Sequence, residues 1–364
     1  MALALALYHH GVGAQILDAR PRGAARGDQR VFALSHGSRQ ILEWLGVWPS
    51  IVATKIDVIH VSQQGGFGRT RLVAQEEGVP ALGYVTAAAS VSDALDAALT
   101  KAQIRFHENR RVHSADSLND AINLSTDMGL TSALLVVYAE GQVETDNAAV
   151  VHDYGQSAVI CRVKADQNQA TRSNLAYERF TPQGPLALLP FGEELAVVYT
   201  CQTQDAAMLA GLNDSDFLVR LRTHIGNGLE FNKVTPRSVF PLTLRYRKTP
   251  VGDRRVWLGN AAQTLHPVAG QGFNLALRDV WELARAVAGA ADPGANGILA
   301  KYAVARRVDR RSVIGFTDAL IRVFSNDDPL LRNLRGLGLL TLDLLPPLRA
   351  FVAKRMMYGA RAWP

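Results

Sequence analysis

Cysteine is nearly missing from this chain. The 364 residues hold two, Cys161 and Cys201, too few for a disulfide framework or a cysteine-rich metal site. Both read as small buried hydrophobes, and a reducing cytosol is the expected compartment. No stretch reaches the roughly 18 apolar residues needed to cross a bilayer. The apolar start MALALALYHHGVG lacks a basic region in front of it, which argues against a secretory signal. HExxH, a Walker loop and a Ser-His-Asp constellation in recognisable context are absent, so their chemistries are not expected. His9 and His10 are adjacent and so do not share a helix face, and no metal is expected. Helix-turn-helix, zinc-finger and RNA-binding signatures are also absent, and nucleic acid is not an expected partner despite the net charge of +6.

One further absence concerns the front of the chain. A dinucleotide-binding unit opens with a strand, G-x-G-x-x-G, a helix, a second strand and an acidic residue. This sequence begins inside that pattern. Ala2 to Tyr8 reads as the second half of a first helix, ended by Gly11 and Gly13. Ala14 to Leu17 reads as the second strand, with Asp18 at its carboxyl end. Asp18 is a candidate for ribose hydroxyls, or a turn carboxylate. About twenty to twenty-five residues would restore the unit. A start lying upstream is the expectation; a real truncation with weak or no dinucleotide binding is the alternative.

What is present is an ordinary globular composition, 48% hydrophobic and 20% charged, with length enough for two domains. The most informative stretch is Val256 to Arg285, VWLGNAAQTLHPVAGQGFNLALRDVWELAR. A short apolar strand runs into a loop holding Gly259, Asn260, Pro267, Gly270 and Gly272. An amphipathic helix then opens near Asn274. Such a turn leaves backbone N–H groups aimed at whatever lies in front of the helix: a phosphate, a carboxylate or the carbonyl edge of a flavin.

Elsewhere, Arg30 to Ser38 leads into a helix to Leu45 that Ser35 or Ser38 could cap. Asp57 to Ser62 and Ala81 to Val85 read as strands. Val91 to Leu99 reads as a helix capped by Ser90 or Ser92. Ser132 to Gly141 reads as a buried strand. Phe67 and Tyr84 are read as core, with approach to an aromatic ligand as the alternative. DYGQ (153–156), Ala158 to Val163, YERFTPQGPLALLP (177–190) and Leu195 to Thr200 indicate a mostly antiparallel sheet. After Arg285 the chain reads as helical: Ile298 to Thr317, a capped turn over 324–329, a leucine-rich helix to Leu345, and a last helix to Gly359. Arg306, Arg307, Arg310 and Arg311 are read as a solvated face, with anionic lipid or a nicotinamide phosphate as the sharper alternative. The basic, leucine-heavy tail could cover core, or meet a membrane surface or a partner.

The segment around Gly259-Asn260, His266-Pro267 and Gly270-Gln271-Gly272-Phe273-Asn274-Leu275 resembles a signature of FAD-dependent aromatic hydroxylases. DYGQ and YERFTPQGPLALLP resemble the ubiquinone-biosynthesis branch, that of the 2-polyprenylphenol and 6-methoxyphenol hydroxylases. The resemblance implies an α/β fold: a Rossmann-like FAD-binding domain, incomplete at its amino end, with an inserted mostly antiparallel substrate sheet and a helical C-terminus. The division would be 1–56, 101–150 and 250–300 for FAD, 57–100 and 151–249 for substrate, and 301–364 for the helical end.

The implied site is Asp18, Arg30, Gly259, Asn260, Pro267, Gly270, Gln271, Gly272, Phe273 and Asn274, all toward FAD. In it, Asn260 meets the ribityl chain, Pro267 lines the face where oxygen reacts, and Arg30 reaches the cofactor. His266 reads as a loop-fixing residue. Glu140 stands where the family has Asp and is not carried over as a ligand. No catalytic side chain is assigned, because the cofactor carries the hard step while the protein positions the ring and excludes water. The implied activity is hydroxylation of a prenylated phenol using NAD(P)H and O2, in the cytoplasm or at the inner membrane face, with a membrane-surface or ubiquinone-pathway protein contact open. A flavoprotein with another aromatic substrate, and a non-catalytic accessory of the same fold, stay open as alternatives.

Overall fold

A computed structural model describes residues 1–118, 120–141, 148–165, 174–226, 228–324 and 329–362. Two regions meet in it. The first is a helix-covered layer whose core gathers Leu5, Leu34, Leu42, Leu95, Leu99, Val256, Leu277, Leu283 and Tyr302. Helix Ala2–His9 packs into this core, and Gly11 follows it at φ +70, a left-handed conformation that ends a helix at little steric cost. Strand Gln15–Leu17 pairs in parallel with Arg105–His107, and Val136–Tyr138 pairs in parallel with Arg255–Trp257. Parallel pairs joined through helices are the mark of an α/β layer.

The second region is a sheet of nine strands among the described residues. Its spatial order is Gln263–Thr264, Ser238–Arg247, Ala149–Ala165, Glu194–Gln202, Gly184–Phe191, Leu175–Thr181, Val58–Gln63 and Arg69–Val73; Phe231–Val234 also pairs with Ala149–Ala165. All its pairings are antiparallel except that of Leu175–Thr181 with Val58–Gln63. Successive side chains alternate between the two faces. One face buries Val159, Cys161, Tyr177, Leu188 and Val197 against the helices Thr203–Gly211 and Asp214–Ile225. The other places Ala176 against Ile56 and Val85, and Phe180 against Val268 and Ile321. That second face looks at the loop singled out above.

Several expectations change. The run Ser132 to Gly141 is two short strands, Gly129–Ala133 and Val136–Tyr138, broken at an exposed Leu134. An apolar run could not reveal that each half finds a different partner. The helix expected at Val91 begins earlier, as Ala88–Lys101, and has no side-chain cap; Ser90 Oγ accepts instead from the Val52 amide at 3.2 Å. Phe67 is exposed, whereas Tyr84 is core. The arginine run is split by helix Asn296–Phe324: Arg306 and Arg310 are buried, Arg307 and Arg311 face solvent. Both cysteines are buried. The capped turn expected over 324–329 involves 325–328, which lie outside the described residues.

Past Phe324, helices Pro329–Leu344 and Pro346–Tyr358 meet at a bend of 98°, with Pro346 opening the second. Among the described residues no single helix is long and apolar enough to cross a membrane.

Candidate active site

Helix Gln271–Val287 starts three residues earlier than its apolar pattern indicates. Gln271, Asn274, Leu275, Leu277, Arg278, Asp279 and Val280 are buried along it. Its N-cap is Gly270 at φ +59, no side chain caps it, and no acidic residue stands in its first turn. No side chain thus competes for that end, and the helix dipole favours negative charge there.

Asn274 fixes the turn. Its Nδ2 donates to the Ala33 carbonyl at 2.9 Å and to the Gly270 carbonyl at 2.7 Å, and its Oδ1 accepts from the Ser35 amide at 2.8 Å. Its side chain is consumed inside the protein, so only its backbone can serve a ligand. Gly270 lies so close to strand Val31–Ser35 that a Cβ would stand 2.9 Å from the Ala33 Cβ. Gly272 differs: a Cβ there would meet nothing within 4 Å. One glycine is required by packing; the other faces open space at the helix mouth. Phe273 stacks on Phe32 with ring centroids 4.4 Å apart.

Gly259 and Asn260 form a short 3-10 turn after strand Arg255–Trp257. Gly259 has φ +56 and rests against Ala276 of the helix, while Asn260 is exposed. Pro267 is half-buried and accepts from the Gly270 amide at 2.9 Å. His266 is fully buried; its Nδ1 accepts from the Val268 amide at 3.1 Å, and burial pushes its pKa down to about 3. It is therefore a neutral loop-fixing ring at any ordinary pH. Tyr154 meets His266 edge-on, and its hydroxyl donates to Asp318 at 3.1 Å. Burial and then Asp318 hold that phenol well above its usual range.

Asp18 and Arg30 are placed less centrally. Asp18 stands at the end of its strand and accepts from the Arg20 amide at 2.9 Å. The exposed Arg30 pairs with Asp28 at 2.6 Å. Neither shows a hydrogen bond to the motif loop among the described residues.

Beneath the helix lies a buried ion network that the sequence did not disclose. Arg278 Nε donates to Asp309 at 2.7 Å, Arg306 Nε to Asp279 at 2.6 Å, and Gln263 Nε2 to Asp279 at 2.7 Å. Arg310 Nε donates to Gln263 Oε1 at 2.8 Å. Burial lowers the Arg278 and Arg310 pKa values; on Arg306 the paired Asp279 and Asp309 more than offset it. This network locks helix Asn296–Phe324 onto the motif helix. Its one sequence signal was the i, i+3, i+4 spacing of Arg306, Asp309 and Arg310.

A cavity of about 450 Å³ opens elsewhere, lined by His60, Ser62, Arg69, Arg179, Leu340 and Asp343 among others. Of its lining, His60, Ser62 and Arg179 belong to the opposite face of the sheet from Phe180, whereas Gln63 is paired with Phe180.

An uncapped helix N-terminus behind a Gly-rich turn, facing one side of a large antiparallel sheet, suits a flavin, and the family and the relatives make the class a flavin-dependent monooxygenase. A family profile described as "FAD binding domain" matches residues 1–317, and the chain belongs to that family. It is 30% identical over 384 residues to the ubiquinone hydroxylase UbiL of Rhodospirillum rubrum, a match spanning 100% of this chain and 88% of that one. It is 29% identical over 375 residues to the 3-demethoxyubiquinol 3-hydroxylase of Escherichia coli, spanning 97% and 93%. Solved structures share the fold, two of them as follows. One is the p-nitrophenol 4-monooxygenase PnpA of Pseudomonas putida, with TM-score 0.76, 17% identity, and 99% and 95% of the chains covered. The other is Klebsiella pneumoniae HpxO complexed with FAD and uric acid, with TM-score 0.74, 14% identity, and 99% and 94% covered.

Proposed function

We propose that this protein is an FAD-dependent monooxygenase that hydroxylates the ring of a prenylated phenol in ubiquinone biosynthesis, using NAD(P)H and O2. The observation that carries the reading is the uncapped mouth of helix Gln271–Val287, braced by Asn274 and left open at Gly272. Full-length similarity to named ubiquinone hydroxylases supports the substrate class.

The residues fit the cofactor. The first-turn amides of Gly272 and Phe273 are suited to the electron-poor carbonyl end of a flavin. Asn260 is exposed and would meet the ribityl chain, Asp18, at a strand end, would have to exchange Arg20 for ribose, and Arg30 would have to exchange Asp28 for the cofactor. When bound, FAD supplies reduction by NAD(P)H and oxygen transfer. The chain's own part is to seat the ring between the sheet face and Pro267, and to exclude water.

For the prenyl tail, helices Pro329–Leu344 and Pro346–Tyr358 and the Leu345 between them expose Leu334, Leu337, Leu344, Leu345, Leu348 and Phe351. We include in the reading a peripheral contact through this surface with a lipid face or a protein of the pathway; vesicle flotation tests the first.

The deciding experiment loads the full chain with FAD, records the flavin spectrum, and analyses products from a prenylphenol with NAD(P)H under labelled oxygen. A flavin spectrum with one labelled oxygen in the ring supports the reading. A flavin spectrum without ring oxygenation moves it to another aromatic substrate, and no flavin binding moves it to a non-catalytic accessory.

A further inference from the structure

Glu178 lies in the middle of strand Leu175–Thr181, on the face turned toward the motif loop. The alternation decides this. Ala176 packs with Ile56 and Val85, Phe180 packs with Val268 and Ile321, and Glu178 sits between them on the same side. Tyr177 belongs to the opposite core, and Arg179 donates to Ser62 on that side at 3.2 Å. Across the strands Glu178 stands opposite Val61 and Ala187, both apolar.

The residue as a whole is half-buried, but its Oε1 is sealed from solvent and has no hydrogen-bond partner among the described residues. Burial lifts its carboxyl to about 7, with no charged neighbour contributing. The titratable groups on the elements packed against this face are the neutral His266, Tyr154 on Asp318, and Arg322, which pairs with Asp318 at 2.9 Å. A carboxylate oxygen enclosed in an apolar wall without a donor is unfavourable for the protein alone. Such groups recur where a ligand brings the missing donor.

A phenol matches this wall. Its flat ring suits the partly exposed Val61 and Ala187, and it carries one O–H donor. We propose that Glu178 accepts the hydrogen bond of the substrate's phenolic hydroxyl, and thereby fixes which ring edge is turned to Pro267 and the helix mouth. This rests on the phenol reading above. When the proton moves, the phenolic O–H bond breaks and an O–H bond forms on the carboxylate. The electron pair stays on the phenolic oxygen and delocalises to the ortho and para carbons, where oxygen is to be added. Return of the proton restores the carboxylate, and no oxidant is consumed by this step.

The test uses the full chain loaded with FAD and a matched pair of probes, a 2-alkenylphenol and its O-methyl ether, which cannot donate. Calorimetry at pH 8 should show the wild type preferring the phenol by about tenfold or more, the value of a buried hydrogen bond to a charged acceptor. Glu178→Leu should bring the ratio near one while leaving ether affinity within about threefold. Glu178→Gln keeps an acceptor oxygen and should retain part of the preference, while the pH inflection in single-turnover ring oxygenation disappears. Thermal melts confirm that both variants fold. Equal affinity for phenol and ether in the wild type, or a preference that survives Glu178→Leu, overturns the role of Glu178 and leaves the phenol reading intact. Failure of both probes to bind the wild type overturns the phenol reading, and the role of Glu178 with it.

Discussion

Asn274 joins two segments more than two hundred residues apart: its amide holds the Ala33 carbonyl at 2.9 Å and the Ser35 amide at 2.8 Å, from a position 1% exposed. With the bond to Gly270 at 2.7 Å, this side chain sets the distance between the helix mouth and strand Val31–Ser35. Asn274→Ala leaves buried backbone groups unpaired, and the expected loss is about 2–4 kcal/mol in urea unfolding. FAD affinity should fall with it. A loss under about 1 kcal/mol would mean that the contact does not brace the turn.

Gly270 and Gly272 should separate under the same substitution. Gly270→Ala brings a Cβ against Ala33 at φ +59, so stability falls by about 1–3 kcal/mol. Gly272→Ala has space for its methyl group and should melt like the wild type. If flavin approaches the helix mouth, Gly272→Ala still weakens FAD binding, which fluorescence titration measures directly. Unchanged affinity would remove Gly272 from the site.

His266 predicts a pH slope. Its folded pKa of about 3 lies below the ordinary 6.5, so the native state refuses a proton that the unfolded chain accepts. The associated stability is present above pH 6.5 and drains away as pH falls toward 3, by about 1.4 kcal/mol per unit. His266→Asn can keep an acceptor for the Val268 amide and should flatten that part of the curve. Denaturant midpoints between pH 7 and pH 4 decide it.

Glu178 carries the opposite sign. Its folded value of about 7 stands above the ordinary 4.5, so its protonated form stabilises the native state, and that contribution is lost as pH rises from 4.5 through 7. Glu178→Gln should therefore stabilise the ligand-free protein by about 2–3 kcal/mol at pH 8 and hardly at all near pH 4. A variant less stable than wild type at pH 8 would show that the carboxylate has a partner in the fold.

The buried network predicts a contrast along one helix. Arg306→Ala strands Asp279 and Asp309 without their shared cation, a loss of about 3–5 kcal/mol. Arg307→Ala and Arg311→Ala, one residue along and exposed, should each change stability by less than about 0.5 kcal/mol. Thermal or urea unfolding of the three variants is sufficient.

Much of the site was legible because it depends on backbone. The turn from Gly259 to Asn274 needs glycine, proline and amides at fixed places, and those residue types stand in the sequence whatever lies around them. The sheet was equally readable, since alternation and Gly/Pro punctuation are local. Local signals failed where partners decided. Ser132 to Gly141 divided because its halves pair with different strands, and the Ala88–Lys101 helix began early without a cap.

By itself, then, the sequence determined the strand–turn–helix motif, the antiparallel sheet and the helical end, all set by nearest-neighbour chemistry along the chain. Only the tertiary structure decided that Asn274 faces inward to Ala33, that Arg306 and Arg310 are interior while Arg307 and Arg311 are not, and that one oxygen of the Glu178 carboxyl is sealed in an apolar wall. Burial and pairing come from segments hundreds of residues apart, and no local pattern encodes which of several identical side chains the packing will enclose.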